Sequence, residues 1–153
     1  MTNPDLSWRP LHAYVPGQTA RHAEDLFDRY KFEGAPSEIA ESSAWQMGLH
    51  LLADGYFWEC HEVLESVWLA APPNSAERRL AQGIIQLANA ALKQRMGQRR
   101  AAVRLVRISD TLVSEAFDSL EGELLNLTRV DIKRMRQAAL SVAQSSELKL
   151  YAI

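Results

Sequence analysis

The run Gly55-Tyr56-Phe57-Trp58-Glu59-Cys60-His61-Glu62-Val63-Leu64-Glu65-Ser66-Val67-Trp68 decides how this chain is read. Placed at about 100° per residue, Phe57, Cys60, Val63, Leu64, Val67 and Trp68 form one apolar arc, so the run predicts an amphipathic helix. His61 falls on the shoulder of that arc with Glu65 one turn later, followed by Trp58 and Glu62. Glu59 and Ser66 are expected to point most nearly outward. Pro72-Pro73 must stop the helix, because proline has no amide hydrogen and disfavours helical geometry before it.

Helical periodicity continues on both sides, and nothing alternates with the two-residue period of a half-buried strand. The reading is all-α, an antiparallel helical bundle of about five helices with an irregular N-terminal arm. The 153 residues suffice for one domain, 1–153, with the arm over 1–19, the bundle over 37–143 and a tail over 144–153. Pro4, Pro10 and Pro16 keep the arm irregular, held to the surface by Trp8, Leu11 and Tyr14, with a short helix expected around 20–31. Ser37 is expected to cap a first helix ending at Asp54-Gly55, and Asn74, with Glu77 in the capping-box position, a third ending at Gly97. A fourth spans about 98–119 with Ala101, Leu105, Ile108, Leu112 and Ala116 on one stripe. Thr128 with Asp131 opens a fifth, ending near Ala143, after which Leu148-Lys149-Leu150-Tyr151 is expected to fold back as a strap.

The net charge of −2 conceals a division along the chain. Residues 32–77 carry eight carboxylates and no Lys or Arg, whereas residues 78–109 carry eight basic side chains and no Asp or Glu. Oppositely charged neighbours in sequence most simply pack as neighbours in space, within one molecule or across a homo-oligomer. The alternative leaves Arg95, Arg99, Arg100, Arg104 and Arg107 as an open surface for phosphates or nucleic acid, which a pI near 6.1 disfavours. No apolar run reaches the roughly 20 residues of a membrane span. The start, Met1-Thr2-Asn3-Pro4-Asp5, lacks the form of a signal peptide, and the single Cys60 makes no internal disulfide, so the expected location is cytoplasmic.

Most of the versatile chemistry lies in the second helix. An imidazole and a carboxylate at i and i+4 can share a hydrogen bond, bind a divalent metal together, or exchange a proton with a ligand. His61-Glu62-x-x-Glu65 has the zinc-protease spacing with its second histidine replaced, and Trp58 stands where a di-iron bundle would need glutamate. His12, His22 and His50 show no ligand spacing and can converge only through the fold. Cys60 sits in the apolar arc and is read as packing. On the third helix, Leu80, Ile84, Leu87 and Ala91, widened by Ala81, Ile85, Ala88 and Leu92, predict burial on two sides. Gly83 permits close helix approach, and the amides Gln82, Gln86 and Asn89 suit a half-buried strip facing the His61/Glu65 shoulder.

The 55–68 run, followed by Gln82-Gly83-Ile84-Ile85-Gln86, resembles the signature of a family of small bacterial and archaeal proteins known as domain of unknown function 309 (DUF309). Tyr14-Val15-Pro16-Gly17 also resembles the arm of its proteobacterial members, with departures at Ala20 and Ala23, where proline is expected. The resemblance covers about residues 10–107 and implies an all-helical bundle with no established activity. It marks Trp58, His61, Glu62, Glu65, Trp68, Gln82, Gly83 and Gln86 as signature positions.

Three functions are compatible with this pattern. In the first, a polar pocket between helices binds a small ligand or a divalent metal. His61 and Glu65 bind or exchange protons there, Glu62 tunes them, Gln82 and Gln86 orient the ligand, and Trp58 and Trp68 form its walls. In the second, the cluster only locks helix packing, and the protein is a non-enzymatic interaction module. In the third, Arg100, Arg104 and Arg107 on the fourth helix bind an anion or nucleic acid.

Overall fold

The computed structural model describes residues 4–118 and 120–151, and side chains as far as residue 145. Five helices account for the bundle: α1 (Ser43–Ala53), α2 (Phe57–Ala70), α3 (Ala76–Arg95), α4 (Arg99–Ala116) and α5 (Arg129–Tyr151). The architecture is all-α; among the described residues the only β pairing is an isolated bridge between Leu124 and Leu127. No helix among them is long and apolar enough to cross a membrane.

The third helix is the centre of the molecule, packed against α2, α4 and α5, while α1 packs against α2 and α5. Its sequence explains this position: Leu80, Ala81, Ile84, Ile85, Leu87, Ala88, Ala91 and Leu92 are all buried, as the double-width stripe requires. Short connections at 54–56, 71–75 and 96–98 fold successive helices back on one another. Two glycines set the closeness of packing. A Cβ on Gly48 would lie 2.2 Å from Leu64 Cδ2, and one on Gly83 would lie 2.9 Å from Val113 Cγ2. At the second crossing the buried Ser109 hydroxyl donates to the Gly83 carbonyl at 2.7 Å, so α4 meets α3 through a polar pin as well as apolar contact.

Several helix ends differ from expectation. Ser42, rather than Ser37, caps α1 by accepting from Trp45 N at 3.1 Å, because residues 36–38 form a separate 3₁₀ turn that drives Ile39 into the core. Ser75, rather than Asn74, caps α3. The Pro72-Pro73 corner leaves Asn74 left-handed at φ 62°, whereas Ser75 has the extended backbone that a cap needs and accepts from Arg78 N. Glu77 therefore stands one position too early for a capping box. Before α5, Thr128 and Asp131 cap each other reciprocally, with Thr128 N to Asp131 Oδ2 at 2.8 Å and Asp131 N to Thr128 Oγ1 at 3.1 Å.

The fifth helix continues to Tyr151 in place of the expected stop near Ala143, so its backbone does not fold back there as a strap. The side chains of Leu148 to Tyr151, and the proposed fourth-helix end at Ser119, lie outside the described residues. The buried face of α4 centres on Ala102, Ser109 and Ala116, and Ile108 from the expected stripe is 40% exposed. Around 20–31 the chain makes turns and one 3₁₀ segment, Asp28–Tyr30, instead of a helix. Within the arm, Trp8 packs against Phe27 and Tyr30 and Tyr14 against Trp58, but Leu11 is fully exposed.

Candidate functional site

The second helix presents its chemistry on two levels, one at the surface and one sealed. At the surface, His61 Nε2 and Glu65 Oε2 are 3.6 Å apart, with side chains 31% and 49% exposed. This is a loose solvent-facing pair rather than a buried dyad. Gln82 and Gln86 are half-buried on α3, and neither hydrogen-bonds to His61 or Glu65 among the described residues. No group of three or more His, Cys, Asp or Glu side chains there is arranged to hold a metal ion. His61 and Glu65 alone supply two donors, whereas zinc sites draw three or four from the protein.

The remaining predicted residues divide between two cavities. Trp58 and Glu62 line a cleft of about 410 Å³ with Arg21, His22, Phe27 and Lys31 from the segment ahead of α1, where the irregular arm continues past residue 19. Trp68 and Gln82 line another of about 330 Å³, where the Arg78 guanidinium carbon lies 4.3 Å from the centre of the Trp68 ring. Helical spacing puts His61 and Glu65 on the strip of α2 between these two walls, and neither lines either cavity.

The sealed level centres on Glu59, which is 0% exposed instead of pointing outward. A helical wheel locates the face but not what covers it, and here the arm does. Glu59 Oε2 accepts the Tyr14 amide at 2.6 Å and lies 2.6 Å from His22 Nε2, whose side chain is 5% exposed. Ser66, also expected to face outward, is half-buried for the same reason: its Oγ accepts Phe32 N at 2.8 Å and donates to Val63 O. Glu59 Oε1 is buried without a hydrogen-bond partner among the described residues.

An aromatic shell encloses the pair. Tyr14 meets Trp58 edge-on at 5.1 Å, His22 meets Phe27 edge-on at 5.7 Å, and the His12 and His22 rings lie 4.8 Å apart at 30°. His12, 10 residues before His22, thus converges with it through the fold, and His12 Nε2 is 2.7 Å from Ala20 O. Because His22 Nε2 is committed to the carboxylate, Glu59 fixes which ring edge His22 turns toward its surroundings, the usual service of a carboxylate behind a histidine.

Arg95 closes the far side. It is buried, donates Nη1 to Gly55 O at 2.6 Å and stacks its guanidinium carbon 4.4 Å from the Phe57 ring centre. Burial pulls its pKa below the usual arginine value, and the negative charge of Glu59 opposes that shift. Arg95 therefore leaves the set of surface arginines expected to meet nucleic acid: its Nη1 serves the α1–α2 turn, and its Nε is buried without a partner among the described residues. Cys60, behind Glu59, is fully buried, and its thiol is pushed far up by burial and by the adjacent carboxylate, in keeping with packing.

The third predicted group remains at the surface. Arg100, Arg104 and Arg107 are exposed on α4, and among the described residues none forms an ion pair with the acidic 32–77 segment. The acidic and basic segments are neighbours through α2 and α3, but their ion-pair partners lie elsewhere: Arg79 of the basic segment pairs with Glu115, and Asp54 of the acidic segment pairs with Arg9.

Residues that sequence reasoning passed over are His22, Glu59 and Lys31. The available signal was two histidines and several aromatic residues in the segment ahead of α1, whereas nothing in α2 itself marked Glu59 as buried.

Comparison with curated proteins and with solved structures finds no match. Residues 45–105 match the family model described as domain of unknown function (DUF309). The match takes in α1, α2, α3 and the first turns of α4, including Glu59, His61 and Gln82, and stops short of the arm that supplies His22. It is over this segment that the chain is similar to the DUF309 family.

Proposed function

We propose that this protein binds a small zwitterionic molecule with an apolar body in the cleft between the arm and α2. The observation that carries the reading is the His22–Glu59 pair. A fully buried carboxylate fixes, at 2.6 Å, an imidazole that itself lines a cleft of about 410 Å³. Cavities of this kind, with aromatic walls and a few convergent polar groups, are the usual form of small-ligand sites.

The lining sets the ligand chemistry. Phe27 and Trp58 offer ring surface, Arg21 and Lys31 offer positive charge, and Glu24 and Glu62 offer negative charge. A molecule with one cationic and one anionic group can satisfy both signs, whereas a plain anion or cation leaves one sign facing its like. In this reading the polar work first assigned to His61 and Glu65 falls to His22, with Glu59 as its positioning partner. Glu62 and Trp58 keep their places as charge and wall. Trp68 and Gln82 belong to the second cavity, and Gln86 lines neither.

Isothermal titration with L-phenylalanine, phenethylamine and phenylacetate tests the charge assignment, since the three share a ring and differ only in their ionic groups. The zwitterion should bind most tightly, Glu62→Gln should weaken the cation-bearing ligands, and Lys31→Gln the anion-bearing ones. Both residues are at the surface of the cleft, so these variants keep the fold. Absence of heat for all three ligands, or equal affinity for all three, overturns the proposal.

A further inference from the structure

The fourth helix is strongly two-faced, yet the bundle uses only part of its apolar side. Ala102, Ser109 and Ala116 are buried, while Val103 remains 50% exposed. Both α4 and α5 pack on α3, but between them the surface opens into a groove. One end is a cavity of about 580 Å³ floored by Ala102, Val103, Val106 and Leu140. The other is a cavity of about 260 Å³ floored by Leu87, Val113, Phe117 and Ile132. Asp110 and Arg136 line both, so the two cavities are one channel crossed at its middle by their bidentate ion pair, 2.8 and 3.1 Å. The channel follows α4 for its 18 residues, a length of about 27 Å.

Its charge is one-sided. Among the described residues Arg99, Arg107, Arg129, Lys133 and Arg136 line the channel against the single carboxylate of Asp110, which pairs with Arg136. Arg100 and Arg104 extend the basic strip along the exposed side of α4, and Arg107 makes no ion pair among the described residues.

We propose that the α4–α5 groove receives an acidic amphipathic helix of a partner protein. The shape calls for a helix: both walls are helices whose backbone groups are satisfied internally, so no strand edge is available for an extended peptide, and an apolar floor of this length matches several turns of an apolar stripe. The rim calls for acid, because carboxylates flanking the stripe meet Arg107 and Lys133, with Arg100 and Arg104 beside them on α4, and Asp110 is the one like charge they face among the described residues. A symmetric contact with a second copy through the same groove would set bases against bases. Nucleic acid would answer the rim but leave the apolar floor uncovered.

The test uses the full chain and a fluorescein-labelled synthetic 18-residue peptide with leucine at helical i, i+3, i+4 and i+7 spacing and glutamate elsewhere. Its controls are the same peptide with lysine for glutamate, and a DNA duplex. Anisotropy should show saturable binding of the glutamate peptide alone. Binding should weaken by about tenfold or more in Val103→Glu and in Arg107→Glu, and also as salt rises. Val103 and Arg107 are at the surface, and circular dichroism confirms that each variant folds. Amide shift mapping on the wild-type chain gives a second readout, which should place the peptide on Val103, Val106 and Leu140. No saturable binding, equal or tighter binding of the lysine peptide or the duplex, or shifts elsewhere would overturn the proposal. So would dimerisation of the free chain that Val103→Glu abolishes.

Discussion

His22 and Glu59, 37 residues apart in sequence, hold each other at 2.6 Å across the boundary between the arm and α2. The same carboxylate oxygen accepts the Tyr14 amide, so one buried side chain of α2 ties down the arm at two points. Without it the arm would have its aromatic contacts alone. With it, the arm becomes a wall of a cleft whose other wall is Trp58 and Glu62.

Removing either partner should therefore cost more than a surface contact does. His22→Ala leaves a fully buried carboxylate with one hydrogen bond, and the expected loss of folding free energy is about 2–5 kcal/mol. Glu59→Gln keeps an acceptor of the same shape and should cost less. Urea denaturation of the two variants measures the difference. A His22→Ala midpoint equal to wild type would show that the pair does not hold the arm.

Gly48→Ala should destabilise the protein although alanine is the better helix former. Its Cβ would lie 2.2 and 2.5 Å from Leu64 Cδ2 and Cγ, and Leu64 is fully buried and has no room to retreat. Overpacking of this kind costs about 1–3 kcal/mol. In a Leu64→Ala background the same substitution should become neutral or favourable, and a thermal-melting double-mutant cycle reads this coupling. Additive effects would contradict the close α1–α2 approach.

Acid should unfasten the start of α5. The hydrogen bonds from Thr128 to the Asp131 carboxylate hold its pKa below the usual carboxylate value. A folded pKa below the unfolded one means that the stabilisation is complete above about pH 4 and is lost as pH falls through the folded value. Asp131→Asn lacks this contribution, so its melting temperature should fall less steeply on acidification than that of wild type. Parallel curves would remove the capping box from the account.

Cys60 should be silent toward thiol reagents in the folded protein. It is fully buried, and burial together with Glu59 pushes its pKa up, so little of the reactive thiolate forms. Reaction with a disulfide reagent should appear only as denaturant opens the core. Rapid labelling under native conditions would mean that α2 is exposed where the structure seals it.

The helices and the core were legible in the sequence wherever a period of 3.6 was strong. Every apolar position named on α3 is buried, and Gly83 is a point of close approach. The ends were less legible because a cap depends on backbone geometry that the preceding residues impose: Pro72-Pro73 turned Asn74 left-handed and passed the capping role to Ser75. The inward turn of Glu59 was illegible for a different reason. Its helix leaves it on the side away from the apolar arc, and only long-range folding of the arm, through Tyr14 and His22, makes that side interior. Periodicity reports which face a residue shares, and long-range contacts decide whether that face is wet.

The most direct test of the central claim is a two-dimensional NMR titration of the full chain with L-phenylalanine, following the ring resonances of His22 and the indole NH of Trp58. The account predicts saturable shifts of both, together with the Glu62 amide, and no comparable change at His61. Unmoved His22 and Trp58 signals at saturating ligand, or shifts confined to another face of the bundle, would contradict it.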